Sequence, residues 1–280
     1  MNTFSSIIFI ASPLLLITMG ALISEYAGRL AMFMECIIGL GGFFCYAFTV
    51  LTGNVFFGIS ISVLISTALT ILIERISTKM NANMFLSSLA MNMIFSSLST
   101  LISSAVFGTR GVLYSEKFVF AQTDAKIVTS IICITISAAL IVFLRLTTPG
   151  LKLRITGSDP DVLVSKGISP DKYKCASWIA ASFCGSLAGC FYALRLSSYV
   201  PGMSGGRGWT ALAAVFLGRK HPILVAASVL VFSIAEFASS NIQNIPLFSS
   251  LPSSVLLALP YIISIVLIIV VPQKKDVPGK

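Results

Sequence analysis

The sequence predicts an all-α protein: a polytopic transmembrane helical bundle with about nine crossings, one of them short or broken, with the N-terminus outside and the C-terminus inside. Three observations carry this. Hydrophobic residues make up 56% of the 280 residues and charged residues only 10%, against roughly 25% charged in a soluble domain. Too few charges remain to build a water-facing surface, and the mean hydropathy of +0.96 says the same. Apolar runs long enough to cross about 30 Å of hydrocarbon recur along the chain, with Lys and Arg confined to the stretches between them.

In chain order the runs are Ser5–Ile23, Leu30–Val50, Val55–Ile73, Met84–Phe107, Ile127–Leu144, Cys175–Leu194, Ile223–Ser240 and Leu256–Val271. The first lacks a basic flank and a small-residue cleavage signature, so it reads as a retained helix and not a signal peptide. Trp209–Gly218 is too short to span as a regular helix and reads as a half-helix or part of a re-entrant element. All runs are too long and too uniformly apolar for transmembrane strands. Residues 1–280 read as one transmembrane domain with a cytoplasmic loop at 145–174.

Basic residues in short loops stay on the cytoplasmic side. The loop at 145–174 carries Arg145, Lys152, Arg154, Lys166, Lys172 and Lys174, and the tail carries Lys274, Lys275 and Lys280. With both placed inside, Arg29, Arg75, Lys79, Arg219 and Lys220 also fall inside. Arg110, Lys117, Lys126, Arg195 and Arg207 fall outside, and the scheme works only if Trp209–Gly218 counts as a crossing.

Several function classes drop out. The net charge of +9 sits in loops and not on a face that could track phosphates, so nucleic-acid binding is not expected. The six cysteines lie in or beside apolar runs with no Cys-x-x-Cys pair, so neither disulfides nor a metal site is expected. No Asp lies within a span, and the single histidine, His221, sits beside Pro222 with no nucleophile to serve, so it reads as a helix-end residue. No phosphate-binding P-loop is present, no cofactor is called for, and any energy must come from another chain.

Ionisable residues inside a membrane are costly and therefore candidates for function. Glu35, early in the second run, is expected nearer the cytoplasmic end, and Glu236, late in Ile223–Ser240, nearer the outer end. Each reads equally as a pathway residue or as an interhelical hydrogen-bond partner. Asn92 is the lone asparagine within Met84–Phe107 and points to a path for a polar solute; the neighbouring serines (Ser87, Ser88, Ser96, Ser97, Ser99) favour packing. The pair Gly185 and Gly189, like the cluster Gly39, Gly41 and Gly42, suits close helix packing within the chain. In the loop at 145–174, Asp159 suits an N-cap, Pro160 a first helical turn and Gly167 a stop, predicting one helix of about two turns.

Gly150 to Ser169 resembles the cytoplasmic coupling segment of bacterial ABC importer permeases of the branched-chain amino acid, ribose and nucleoside group, most closely the purine-nucleoside permeases. Ser24-Glu25-Tyr26-Ala27-Gly28, Met91-Asn92, Met203 to Trp209, Gly218 to Pro222 and Leu259-Pro260-Tyr261 match further family stretches in the same order, and Glu35 falls on the family's second-helix glutamate. The segment Leu30 to Cys36 departs from the pattern, lacking an Asn before the glutamate and a Gly after it.

The resemblance implies a permease subunit of the inner membrane with no ATPase site of its own. It implies a second, non-identical permease subunit, cytoplasmic ATP-binding subunits, and an extracytoplasmic substrate-binding lipoprotein. It implies ATPase coupling through Gly157, Asp159, Pro160, Asp161, Lys166 and Gly167, and a solute path contacted or shaped by Glu35, Asn92 and Glu236. Arg207 and His221 would shape loop geometry. Nucleosides are the implied solute. The alternatives are a sugar or branched-chain amino acid permease, or an ATP-independent proton-coupled carrier.

Overall fold

The computed structural model describes residues 3–241. Among them stand ten α-helices and no strand: α1 (Thr3–Tyr26), α2 (Met34–Thr52), α3 (Val55–Lys79), α4 (Met84–Phe107), α5 (Gln122–Leu146), α6 (Thr148–Ser158), α7 (Pro160–Ser165), α8 (Pro170–Leu196), α9 (Arg207–Leu217) and α10 (Pro222–Asn241). Seven of these, α1 to α5, α8 and α10, are long and apolar enough to cross a membrane. At 1.5 Å per residue, the 24 residues of α1 reach about 36 Å, enough for the hydrocarbon core. The predicted run Leu256–Val271, the Leu259-Pro260-Tyr261 stretch and the basic tail lie outside the described residues.

The helix ends follow local chemistry. Gly53 adopts φ 70° and stops α2; Asn54 then caps α3 by accepting from Phe56 N at 2.9 Å. Asn83 caps α4 by accepting from Phe85 N and Leu86 N, and Gly108 at φ 68° ends it. Several helices extend past the expected runs, and two further differences bear on the site. The second helix begins at Met34 and not Leu30, because residues 27–33 return into the bundle as irregular chain. The loop at 145–174 holds two helices where one was expected: α6, capped by the Thr147 hydroxyl accepting from Gly150 N, and the six-residue α7. Its apolar residues are too sparse to signal α6 by periodicity.

The core forms where α2 and α8 cross, with α1 packed beside α8. Their backbones nearly touch. A Cβ on Gly189 would stand 2.0 Å from Ile38 O, and one on Gly41 would stand 2.3 Å from Ser186 O. The Gly185-x-x-x-Gly189 spacing therefore serves packing within the chain. Hydroxyls bridge the helices around this crossing: Ser62 donates to Gly41 O at 2.7 Å, Thr70 to Ser182 Oγ at 2.9 Å, and Ser12 to Ser130 Oγ at 2.9 Å.

Arg195, expected in an outer loop, is instead 8% exposed in the last turn of α8. It donates to Thr129 Oγ1 at 2.7 Å, Ser130 Oγ at 2.8 Å, Ser12 Oγ at 3.2 Å and Phe9 O at 2.5 Å. Position near a helix end read as solvent; the four oxygen partners, drawn from α1 and α5, could not be seen in the local sequence.

The bundle has two ends. At one, the Tyr26 hydroxyl donates to Lys220 O and Arg145 meets His221, beside α6 and α7. At the other, Leu113 and Tyr199 exchange backbone hydrogen bonds of 2.8 and 3.0 Å, and Tyr46 packs on Phe118 with ring centroids 5.1 Å apart. Residues 197–217 carry the chain from the second end to the first, the latter half as α9.

Gly189→Leu should be far worse than the general overpacking cost of about 1–3 kcal/mol, since the obstruction is backbone. The expected outcome is loss of monodisperse protein in detergent size exclusion, whereas Gly39→Leu, where a Cβ meets nothing within 4 Å, leaves the profile intact. A normal elution peak for the Gly189 variant would contradict the packing described here.

Candidate functional site

α9 starts inside the bundle. Gly206, at φ 81°, turns the chain into the helix, whose first N–H groups have no intrahelical acceptors. Glu35, in the first turn of α2, supplies them. Its Oε1 accepts from Gly206 N at 2.7 Å and its Oε2 from Gly208 N at 2.8 Å. The carboxylate also faces the positive end of the helix dipole. Residue 208 has to be glycine, since a Cβ there would lie 2.5 Å from Glu35 N and 2.7 Å from its Cα.

Arg207, between those two glycines, reaches α10. Its Nη2 is 2.6 Å from Glu236 Oε1, its guanidinium carbon lies 4.7 Å from the Tyr192 ring centroid, and Nη1 donates to Met203 O at 3.2 Å. The two side chains of the ion pair keep 28% and 31% of their surface open. Glu35 and Glu236, expected toward opposite ends, both meet the start of α9, Glu35 through its backbone N–H groups and Glu236 through the Arg207 side chain. The reason is the irregular stretch 27–33, which carries Glu35 inward before α2 begins.

Asn92 serves that same break. Its Oδ1 accepts from Cys36 N at 3.1 Å and its Nδ2 donates to Met32 O at 2.5 Å. Ser88 Oγ accepts from Phe33 N at 3.1 Å. Backbone freed from helical bonding inside a membrane has to be satisfied by such partners. The other α4 hydroxyls divide. Ser103 is buried and donates to Thr109 O, whereas Ser96, Ser97, Thr100 and Ser104, with Arg110, line an open groove of about 550 Å³.

At the opposite end of α9, the chain meets α6. A Cβ on Gly157 would lie 2.3 Å from Tyr26 O and 2.8 Å from Gly28 N, so α6 rests directly on the end of α1. Asp159 links α6 to α7 and holds the N-cap position, but its side chain makes no capping bond. Pro160 opens α7, Lys166 closes it and Gly167, at φ 71°, turns the chain away. Leu163 is buried beneath α7, while Asp161, Val162, Val164 and Lys166 are exposed. The result is a short helix anchored by one leucine and open to a partner.

The model of the family described as branched-chain amino acid transport system / permease component matches residues 3–272. The chain belongs to this permease family. It is 27% identical to the guanosine ABC transporter permease NupQ of Bacillus subtilis, over 91% of this chain and 87% of that one. It is 23% identical to the nucleoside ABC transporter permease NupC of Lactococcus lactis, over 94% and 90%. It is 25% identical to TsgC13 of Haloferax volcanii, a permease named provisionally for glucose, over 85% and 76%.

The protein is thus an ABC transporter permease, a multi-pass protein of the cytoplasmic membrane that works with an ATP-hydrolysing partner and does not hydrolyse ATP itself. Membership in an ABC system sets aside the stand-alone proton-coupled carrier. Both carboxylates considered for such coupling are engaged, Glu35 by N–H groups and Glu236 by Arg207.

Sequence reading missed one ionic site. Arg29 Nη1 lies 2.5 Å from Glu74 Oε1, with Glu74 only 3% exposed, and Nη2 lies 3.7 Å from Asp171. This pair ties the irregular stretch 27–33 to α3. Glu74 lies just beyond the predicted span Val55–Ile73 and so was not among the intramembrane candidates, whereas α3 runs on to Lys79.

Glu35→Gln keeps one acceptor oxygen but turns an amide NH2 against a backbone N–H. Losing a buried acceptor costs about 1–3 kcal/mol. The Tm in detergent should fall by several degrees, and further for Glu35→Ala. Unchanged melting in both variants would show that α9 does not need the carboxylate.

Proposed function

We propose that this chain is one permease subunit of an ABC importer that carries nucleosides inward. It pairs with a second, non-identical permease, receives solute from an extracytoplasmic lipoprotein and is driven by cytoplasmic ATPases seated on α7. The observation that carries this reading is the near full-length similarity to a guanosine permease. In this reading residues 1–280 form one transmembrane domain with nine crossings, the N-terminus out and the C-terminus in. The α6–α7 end is cytoplasmic, supported by the gathering of Arg29, Arg75, Lys79, Arg145, Arg154 and Lys166 there.

The site's charge supports an uncharged polar solute. Arg207 and Glu236 neutralise each other, and Glu35 faces the partial positive charge of α9. The groove on α4 offers hydroxyls beside Arg110. A nucleoside carries both hydroxyls and ring acceptors to match. Glu35 and Asn92 shape the path by holding the starts of α9 and α2, and Glu236 with Arg207 faces it.

Gly157, Asp159, Pro160, Asp161, Lys166 and Gly167 form the coupling segment. α6 touches the end of α1 at Gly157, so a push on α7 is delivered to the helix beside α9. ATP binding in the partners then shifts the permease between outward- and inward-facing states through different contacts at α7. Sugar transport is the second reading, favoured by the TsgC13 similarity.

Proteoliposomes holding the transporter with its co-purified partners, a binding protein outside and ATP inside, should accumulate radiolabelled guanosine. Asp161→Arg, on the exposed face of α7, should reduce ATP-dependent uptake at least tenfold while leaving the Tm unchanged. Ribose uptake without guanosine uptake would move the substrate and keep the mechanism; equal uptake without ATP would overturn it. Glu236→Gln, which leaves Arg207 without its carboxylate, should slow guanosine uptake in the same assay; wild-type rates would remove Glu236 from the path.

A further inference from the structure

α8 grips the irregular stretch 27–33 near both of its ends. The Trp178 indole N–H donates to Arg29 O at 3.1 Å, and the same ring packs edge-on against Phe33, with centroids 5.0 Å apart. Trp178 and Phe33 are fully buried. Phe33 is the last residue before α2, and Glu35 lies in the first turn that follows. The stretch that sets Glu35 in place is therefore held by α8 as well as by α4.

The side chain of Arg29 has two carboxylate partners of different character. Nη1 lies 2.5 Å from Glu74 Oε1 on α3, which also accepts from Thr78 Oγ1 at 3.1 Å. Glu74 is buried, and breaking a buried pair strands a charge out of water, so this contact is an anchor. Nη2 reaches Asp171 Oδ1, in the first turn of α8, at 3.7 Å. That oxygen also lies 3.8 Å from Lys174 Nζ, and the Asp171 side chain is 68% exposed. A long, exposed and shared ion pair contributes little to stability. It can open and close at small cost, with Lys174 at hand to take the carboxylate when Arg29 lets it go.

Asp171 stands where a movement of α7 arrives first. Residues 166–169 alone separate α7 from α8. Within them Gly167 N donates to Val164 O and Ile168 N to Leu163 O, each at 2.9 Å, which ties the connection to α7. At 1.5 Å per residue, Trp178 follows Asp171 by about 10 Å along α8. Both contacts to 27–33 therefore move with the start of α8.

We propose that Arg29 and Asp171 are positioning residues of the transport cycle, whose ion pair is a latch that closes and opens with α7 and passes its movement through residues 27–33 to Glu35. Closed, the latch fastens the beginning of the stretch to α8. Open, it leaves Arg29 on its Glu74 anchor and lets the start of α8 shift. Glu35 holds the first N–H groups of α9, so a shift of 27–33 is felt at Arg207 and Glu236. Coupling needs a contact made in one state and lost in the other, and a weak pair beside a buried one supplies it. The inference rests on the importer reading, in which the ATPase bears on α7, and is independent of the solute carried.

The test uses the assembled transporter in proteoliposomes, with a binding protein outside and ATP inside. It measures ATP hydrolysed per radiolabelled solute accumulated, with guanosine, ribose and leucine run in parallel. Asp171→Ala should raise that ratio by about fivefold or more, the lower end of allosteric couplings, with the Tm unmoved. Asp171→Glu, which keeps the carboxylate, should restore most of the wild-type ratio, and Lys172→Gln, exposed beside it, should leave the ratio as it is. Glu74→Gln, which removes the buried anchor, should instead lower the Tm by several degrees. A wild-type ratio in Asp171→Ala would overturn the latch and leave the importer reading standing. So would loss of the ATPase from the purified Asp171→Ala complex, which would assign Asp171 to the partner's docking surface. A wild-type complex that accumulates none of the three solutes at the expense of ATP would overturn the importer reading and the latch with it.

Discussion

One carboxylate organises the middle of this protein. Glu35 accepts from the N–H groups of Gly206 and Gly208, and without such an acceptor a helix cannot begin in the interior of a membrane bundle. The bond fixes where α9 starts, and that start fixes Arg207, which in turn reaches Glu236 on α10 and the face of Tyr192 on α8. Four helices are registered through three adjacent residues. The irregular chain before α2 is the other half of the device. Asn92 and Ser88 of α4 satisfy its backbone, so the break that brings Glu35 inward is itself held in place.

Two helices that begin inside the bundle, α2 and α9, meet where polar groups gather. The broken starts are satisfied by side chains, the ion pair is neutral overall, and hydroxyls on α4 face outward. At the far end of α9 the chain turns through two left-handed residues into α10, beside the seat of α6 on α1. In the proposed reading, movement of α7 reaches the site through these contacts. α6 bears on the end of α1, and α1 packs against α9 and α10. The close crossing of α2 and α8 has no room for a methyl group at Gly189.

Much of this was legible in the sequence, for physical reasons that can be named. Spans are legible because hydrocarbon thickness sets a length, and the seven long helices lie where apolar runs ended in Gly, Asn or charge. Glu35, Asn92 and Glu236 stood out because polar groups in hydrocarbon need a reason. Their partners were not legible, because each lies far along the chain: Glu35 with Gly206, Asn92 with Met32, Glu236 with Arg207. Arg195 was misread as a loop residue, since hydropathy alone cannot tell a helix end in water from one caged by hydroxyls. The α7 cap was placed correctly at Asp159, yet the side chain makes no capping bond, and α6 carried too weak a pattern to be seen.

The most direct measurement is a cryo-electron microscopy map of the assembled transporter in lipid nanodiscs. The account expects α9 to begin at Arg207 in mid-bilayer, the Glu35 carboxylate to sit between the Gly206 and Gly208 N–H groups, and the ATPase to rest on α7. A continuous helix running through residues 197–217, with Glu35 free of backbone contacts, would contradict it.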